Sequence, residues 1–166
     1  FHSDWNVPVA PEAYRRDGKL FGDQYSNFNA GKLLLFLEGL AGLEYSIPER
    51  RLTVHDTMPT SWKWMEVRLP IQMPGETRAH WPVIRMERTA ASNATEITKS
   101  IRVTDSPLRI TIEPWSEEKT AVRFESSPRG RNPLPTGYPH YSRFTFDEQQ
   151  TAASVNLTLI SDAGNR

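Results

Sequence analysis

A cluster of arginine, histidine and tyrosine between residues 129 and 141 is the segment of this sequence best suited to ligand chemistry. Guanidinium groups bind hydroxyls, carboxylates and phosphates through several donors, and a tyrosine beside them adds an aromatic face and a hydroxyl. The surrounding prolines and glycines predict a long loop, because they disfavour a strand. We therefore predict ligand-binding residues at Arg129, Arg131, Tyr138, His140 and Tyr141, and a solvated loop is the competing interpretation.

Tryptophan side chains offer a second kind of ligand contact, because the C–H face of a sugar ring stacks on an indole. Trp115 follows Pro114 at a predicted strand end and precedes a polar run, Ser116-Glu117-Glu118. We therefore predict Trp115 as a further ligand-binding residue. For Trp62 a core or helix-packing position is the favoured interpretation. If exposed, six aromatic side chains could hold a sugar in this way: Trp62, Trp64, Trp81, Trp115, Tyr138 and Tyr141.

The remaining polar residues form no recognisable catalytic or metal-binding motif. The four histidines are scattered, and none has the spacing of a known metal site. His55 and Asp56 are neighbours, but adjacent residues on a strand point to opposite faces, which disfavours a dyad. The nucleophile elbow G-x-S-x-G does not occur. We predict no catalytic residue, no metal and no cofactor for this chain, and leave open whether it belongs to an enzyme.

The balance of charge argues against two classes of partner. Twenty Lys and Arg residues match twenty Asp and Glu residues, so no net field draws the chain to nucleic acid or to an anionic membrane. The absence of cysteine removes disulfides but does not fix the compartment. The sequon at Asn93 is a glycan acceptor if the chain is secreted. An extracellular or secretory location is favoured without being fixed.

Thirteen prolines and nine glycines among 166 residues predict many short strands and turns. Apolar and polar residues alternate cleanly in several runs, as in half-buried strands. Between Trp62 and Ile71 the alternation slips by one position near Met65, which predicts a β-bulge. The fold class is mainly β: an antiparallel β-sandwich or jelly roll over residues 44–166, with an extended N-terminal arm over residues 1–26.

One α-helix is predicted between the arm and the sandwich, over residues 27–43. Asn27 or Asn29 can cap its start, and Gly39 and Gly42 can end it. Leucine and phenylalanine side chains point in nearly every direction around it, which predicts burial on all sides. The run is too short to span a membrane. We expect a packing interface that contains Leu33, Leu34, Phe36, Leu37 and Trp62.

The same stretch carries a family resemblance. Its order of features is Asn29-Ala30-Gly31, a leucine-rich helix, Gly39-Leu40-Ala41-Gly42-Leu43, Tyr45, Leu52-x-Val54, Pro59, Trp62 and Val67-x-Leu69-Pro70. This order resembles the last barrel helix and exit of (α/α)6-barrel, or six-hairpin, glycoside hydrolases and phosphorylases. The resemblance implies that a C-terminal β-sandwich packs on a helical barrel and stabilises it. The family's general acid lies in an earlier part of the barrel that this chain does not contain.

Two interpretations of function therefore stay open. In the first, the chain is a non-catalytic, processed C-terminal portion of a carbohydrate-active enzyme, and its partner is the remainder of the barrel. The lack of an initiator methionine at Phe1 agrees with this. In the second, the chain is a free-standing or oligomeric β-sandwich that binds carbohydrate or another small ligand, and a second copy of itself covers the apolar helix.

Overall fold

A computed structural model describes residues 13–14, 20–21, 33–90, 96–116, 120–128 and 132–161 of the chain. The chain divides into two units, Phe1–Leu40 and Ala41–Arg166. In the first unit, strands β1 (Ala13–Tyr14) and β2 (Leu20–Phe21) pair in antiparallel fashion. Asp17 and Gly18, a pair whose sequence predicts a turn, lie between them in the chain and outside the described residues.

The helix of the first unit differs from the one that the sequence predicts. Leu33 and Leu34 are helical, and a π-helix follows at Leu35–Leu40. None of the π-helical residues is buried, and Leu35 is 73% exposed. An apolar periphery favours burial but does not supply the elements that cover the helix, so its burial by a sheet or by a missing partner stays a prediction. Among the described residues, no helix is long and apolar enough to cross a membrane.

The second unit is a β-sandwich, as predicted. Sheet A has the strand order β10-β11-β8-β4-β3, and sheet B has the order β5-β6-β7-β12-β9. All neighbouring strands are antiparallel except β4 and β8, which are parallel. The strands are β3 (Leu43–Ser46), β4 (Arg51–His55), β5 (Trp64–Arg68), β6 (Val83–Ala90), β7 (Glu96–Thr104), β8 (Arg109–Glu113), β9 (Thr120–Ser127), β10 (Leu134–Pro135), β11 (Ser142–Thr145) and β12 (Ala153–Ser161).

The core lies between the two sheets and consists of every second residue along the strands. The rings of Phe124 on sheet B and Phe144 on sheet A meet across it, with centroids 5.3 Å apart. Each fully buried aliphatic or aromatic side chain contributes about 1.5 to 3 kcal/mol relative to an exposed one. The largest fully buried side chains are Leu43, Leu52, Ile71, Ile84, Met86, Ile101, Leu108, Ile110, Ile112, Phe144, Phe146 and Leu157.

Strand β5 alternates without interruption, so the predicted bulge near Met65 was wrong. Its register with β6 runs unbroken from Trp64 opposite Glu87 to Arg68 opposite Val83. Met65 is buried, whereas Trp64 points to the other face and is 58% exposed. The prediction of a slip came from placing the tryptophans in the core. Trp62, which we also expected to be packed, is 42% exposed.

A glycine at the start of β3 sets the position of His55. Gly42 has a φ of +64°, and its carbonyl accepts a hydrogen bond from the His55 N–H at 2.8 Å. A Cβ atom on Gly42 would overlap the His55 carbonyl oxygen and would lie 2.6 Å from Thr57 Oγ1. Glycine is required here both by the left-handed backbone and by the close approach of the two strands.

Candidate functional site

The outward surface of sheet A carries a concentrated set of polar side chains. Residues of β4, β8 and β11 that alternate with the buried core residues must point away from the core. We call this surface the polar face, and define it by Glu44, Arg51, Thr53, His55, Arg109, Thr111, Glu113, Arg143 and Thr145. Together with Tyr138 they line a cleft of about 350 Å³.

The strand register arranges the polar face in rows. Because β4 and β8 are parallel, Arg51 lies opposite Arg109, Thr53 opposite Thr111 and His55 opposite Glu113. Strand β11 extends the middle row, since Thr145 lies opposite Thr111. The middle row therefore holds three threonine hydroxyls and, on β3, Glu44 opposite Thr53. The row of His55 and Glu113, which we call the acidic row, lies on one side of it, and a row of two arginines lies on the other.

The acidic row is centred on Glu113, whose side chain is only 2% exposed. Arg143 Nε donates to its Oε1 at 2.5 Å, and His55 Nδ1 lies 3.0 Å from its Oε2. These contacts compensate a carboxylate that would be costly to bury alone. On the far side of the imidazole, His55 Nε2 lies 3.4 Å from Glu44 Oε1 but has no hydrogen-bond partner of acceptable geometry among the described residues.

The arginine row holds two like charges side by side. Arg51 Nη2 lies 3.3 Å from Glu49 Oε2, and Arg109 Nη1 lies 3.8 Å from Glu148 Oε1. Arg109 Nε is buried and finds no hydrogen-bond partner in the described part of the chain.

A second cleft adjoins the first. It has a volume of about 440 Å³, and Arg109 and Thr145 line both clefts. Its other walls come from the β10 region and the segment after β11: Asn132, Leu134, Phe146, Asp147 and Glu148. A ligand longer than one ring could therefore continue past Arg109 along the same surface.

A buried ion pair closes the interior of the sandwich beside the acidic row. Lys99 lies on the inward face of β7, and its Nζ donates to Asp56 Oδ2 at 3.0 Å. The two side chains are 6% and 5% exposed. Lys99 Nζ also donates to the Trp115 carbonyl oxygen at 3.2 Å and lies 4.7 Å from the centroid of the Trp115 ring. Asp56 and His55 thus point to opposite faces, as expected from their adjacency on the chain.

The structure brings four of the predicted ligand-binding residues to this end of sheet A. Trp115 and Tyr141 form an isolated antiparallel bridge, and Tyr138 lines the cleft with 70% of its surface exposed. The carbonyl oxygen of His140 accepts hydrogen bonds from Ser116 N and Oγ. Arg129, Arg131 and the predicted glycan acceptor Asn93 lie outside the described residues.

Two of these four residues, Trp115 and Tyr141, make contacts within the protein. The half-buried Trp115 ring faces the Lys99 ammonium group, and the Tyr141 hydroxyl donates to the Asp56 carbonyl oxygen at 3.4 Å. Burial, followed by the charges of Asp56 and Glu113, raises the pKa of Tyr141 above its ordinary value. Tyr138 is the aromatic side chain of this group that reaches the cleft.

Most of the polar face was not predicted from the sequence, although a signal was present. Strands β4 and β8 read Arg-Leu-Thr-Val-His and Arg-Ile-Thr-Ile-Glu, so arginine, threonine and an ionisable residue alternate with core residues in both. Equal patterns on two strands place equal residues side by side only if the strands are adjacent, parallel and in register. The sequence does not reveal that pairing.

A separate groove lies on the outer side of sheet B, along β5 and β6. It has a volume of about 580 Å³ and includes two exposed tryptophans, Trp62 and Trp64. The Arg85 guanidinium carbon lies 5.2 Å from the Trp64 ring centroid. The indole of Trp64 is therefore partly occupied by a cation of the same sheet.

Comparison with protein-family models, with curated proteins and with solved structures found no match to the chain. Within the described residues, no group of three or more His, Cys, Asp or Glu side chains could hold a metal ion. The chemistry of the polar face is therefore the basis on which a function can be proposed.

Proposed function

We propose that this chain is a non-catalytic β-sandwich that binds carbohydrate in the cleft of the polar face. The observation that carries the proposal is the pair of clefts that meet at Arg109 over a floor of threonine hydroxyls. Thr53 and Thr111 are both 6% exposed, so their side chains form the bottom of the cleft while charged side chains form its walls. A volume of about 350 Å³ lies within the roughly 300 to 1,000 Å³ typical of small-ligand sites.

The chemistry of the walls fits a polyhydroxylated ligand. A sugar hydroxyl both donates and accepts hydrogen bonds. It therefore pairs well with planar side chains that carry several donors or several acceptors. Arginines supply donors, Glu44 supplies acceptors, and the threonines supply both. Tyr138 adds an exposed aromatic side chain at the rim, where a ring C–H face could stack.

Glu113 is better suited to holding its neighbours than to acid–base catalysis on a ligand. Its Oε1 is engaged by Arg143 and its Oε2 by His55, and almost none of its surface is accessible. Glycoside hydrolysis in most families needs two carboxyl groups placed on either side of the scissile bond. On the polar face the other carboxylate is Glu44, and both it and Glu113 lie beside nitrogens of the same His55 ring.

The proposal is tested by applying the labelled full chain to a glycan array and then measuring the best ligand by calorimetry. Tyr138→Ala should weaken binding by about 2-fold to 10-fold, the size of one aromatic contact. Trp64→Ala is the matched control, because it removes an exposed aromatic from sheet B. Binding that survives Tyr138→Ala but is lost in Trp64→Ala would move the site to the β5–β6 groove and contradict the proposal.

A second candidate function keeps the resemblance to helical-barrel enzymes. We propose as the alternative that the chain packs on the remainder of such an enzyme and stabilises it. Its specific support is the apolar helix, in which Leu33, Leu34 and Phe36 are 58%, 53% and 48% exposed. Exposed apolar clusters of this kind are typical of packing surfaces.

Native mass spectrometry of the protein from its source separates these possibilities. A covalent or associated partner with helical repeats supports packing on a barrel, whereas a symmetric dimer supports a second copy as the partner. A lone chain of 166 residues that still binds glycans would support the binding module and contradict the packing role.

A further inference from the structure

The two arginines of the polar face are placed where their charges repel. Arg51 and Arg109 are direct partners in the parallel pair of β4 and β8. Like charges directly opposite each other on neighbouring strands destabilise a sheet. Such an arrangement costs the folded chain stability unless an anion offsets the repulsion.

Among the described residues, the acidic partners of the two arginines offset this repulsion only weakly. Glu49 and Glu148, the partners of Arg51 and Arg109, have side chains that are 62% and 75% exposed. Exposed ion pairs contribute little, and the distance to Glu148 is 3.8 Å. Arg109 Nε, although buried, has no hydrogen-bond partner among the described residues.

The opposite end of the cleft differs in its charge balance. There Glu113 is matched by Arg143, and Glu44 lies beside His55. The carboxylates of the cleft are thus grouped at the end that carries His55, and two arginines share the other end. Apart from His55, the cleft lining has three arginines against two glutamates.

We propose that the polar face selects acidic saccharides, and that a carboxylate or sulfate group of the ligand lies between Arg51 and Arg109. An arginine fork donates two parallel hydrogen bonds to such an oxyanion, which a neutral hydroxyl cannot match. The sugar hydroxyls then lie over the threonine row. This inference rests on the proposed carbohydrate-binding function and adds the chemical class of the ligand.

The adjoining cleft extends the same inference to a chain of sugars. Because Arg109 lines both clefts, an oligosaccharide can place its acidic group at the junction and its neighbouring ring beside Leu134 and Phe146. Because Asp147 and Glu148 also line the second cleft, the best fit is an oligosaccharide that has its acidic group at the junction and a neutral neighbouring ring.

The test uses the full chain on a glycan array that carries matched pairs: uronate oligosaccharides with their methyl esters, and sulfated oligosaccharides with their desulfated forms. The uronate and sulfate arms distinguish the two sources of negative charge. The best pair is then titrated by calorimetry at two salt concentrations. Wild-type chain should bind the charged member about tenfold or more tightly than its neutral match, and added salt should weaken the difference.

Two variants locate the effect. Arg51→Gln and Arg109→Gln should each lose most of the preference for the charged member. Without ligand they should unfold at the same temperature as wild type or higher, because a like-charge repulsion is removed. Arg102→Gln, an exposed arginine on the outer side of sheet B, is the control and should retain the preference.

The outcomes separate this inference from the function on which it rests. Equal binding of charged and neutral members overturns the acidic selectivity and leaves carbohydrate binding intact. The same conclusion follows if Arg102→Gln reduces the preference as much as Arg51→Gln does. An absence of binding to every glycan overturns the proposed function and this inference together.

Discussion

At the residue scale, the described chain commits several ionisable side chains to its own architecture. Lys99 points inward from β7, as do its neighbours Ile101 and Val103, whose side chains are apolar. It is tolerated there because Asp56 and the Trp115 carbonyl accept its hydrogen bonds. The pair joins the end of β4 in sheet A to β7 in sheet B, so it fixes how the ends of the two sheets meet.

A double-mutant cycle measures this ion pair. Lys99→Met leaves Asp56 buried without its cation and should lower the free energy of unfolding by about 3 to 5 kcal/mol. Lys99→Met combined with Asp56→Leu should recover most of that loss, because no charge is left buried. Urea denaturation of the two single variants and the double variant gives the coupling. Additive effects would show that the two groups do not form an energetic pair.

The Tyr141 hydroxyl gives the pH prediction. Its pKa is raised in the folded chain by burial and then by the charges of Asp56 and Glu113, so the folded state holds the phenolic proton to higher pH than the unfolded state does. The unfolded state therefore binds fewer protons above its ordinary value of about 10, and the free energy of unfolding falls as pH rises through that range. The stabilising effect is fully present below pH 10.

The comparison with Tyr141→Phe isolates this effect. The difference in unfolding free energy between wild type and Tyr141→Phe should be constant below pH 10 and should shrink or change sign above it. The difference in alkaline phenolate absorbance between wild type and Tyr141→Phe gives the same titration, since the other four tyrosines absorb in both. A phenol that ionises at or below the ordinary value would contradict the packing of Tyr141 against Asp56.

At the scale of elements, the parallel pairing of β4 and β8 creates the polar face. It brings two strands of similar alternating sequence into register, so that Arg51 lies beside Arg109 and Thr53 beside Thr111. The residue that leads into β3, at the other edge of β4, is equally specific. Gly42 adopts a positive φ there and lies against the backbone of His55. Both features place His55 beside Glu113.

Gly42→Ala tests this junction. A non-glycine residue with left-handed backbone costs about 1 to 2 kcal/mol, and the added Cβ also overlaps the His55 carbonyl. We expect the free energy of unfolding to fall by about 2 to 4 kcal/mol in denaturant titration. Gly75→Ala, at φ +82° with no atoms within 4 Å of the added Cβ, is the control for backbone strain alone and should cost less. Equal losses would remove the close approach from the explanation.

How much the sequence revealed also differs by element. Strands with strict alternation, such as β4, β8 and β12, can be recognised in the sequence because one face is core and the other is not. Strand β5 was misinterpreted because exposed tryptophans resemble core residues in composition. The polar face was missed because residues far apart in the chain meet only through strand order and register, which local patterns do not encode.

For the helix, composition was informative about position but not about what covers it. Its position was predicted from leucine content and glycine ends, and Leu35–Leu40 is helical as expected. Its burial was inferred from composition alone. Composition shows that a covered state would be favourable, but the described residues leave its apolar side chains exposed. An interface at Leu33, Leu34, Phe36 and Leu37 stays a prediction.

At the scale of the whole molecule, the two outer faces of the sandwich have different chemistry. Sheet A presents a polar cleft, whereas the β5–β6 edge of sheet B presents two exposed tryptophans. Both surfaces are compatible with a bound sugar in general terms. Binding at the two surfaces should depend differently on the charge of the ligand. The proposed function assigns the ligand to sheet A because hydrogen-bond donors and acceptors converge in its cleft.

The most direct measurement is an NMR titration of the ¹⁵N-labelled full chain with the best saccharide from the array. Our account predicts shift changes at amides of residues 51–55, 109–113 and 142–145, together with Tyr138, and smaller changes at the same ligand concentration in Arg109→Gln but not in Arg102→Gln. Shift changes confined to residues 60–64 and 87–90 would place the ligand at the tryptophan groove. That result would contradict the assignment of function to the polar face.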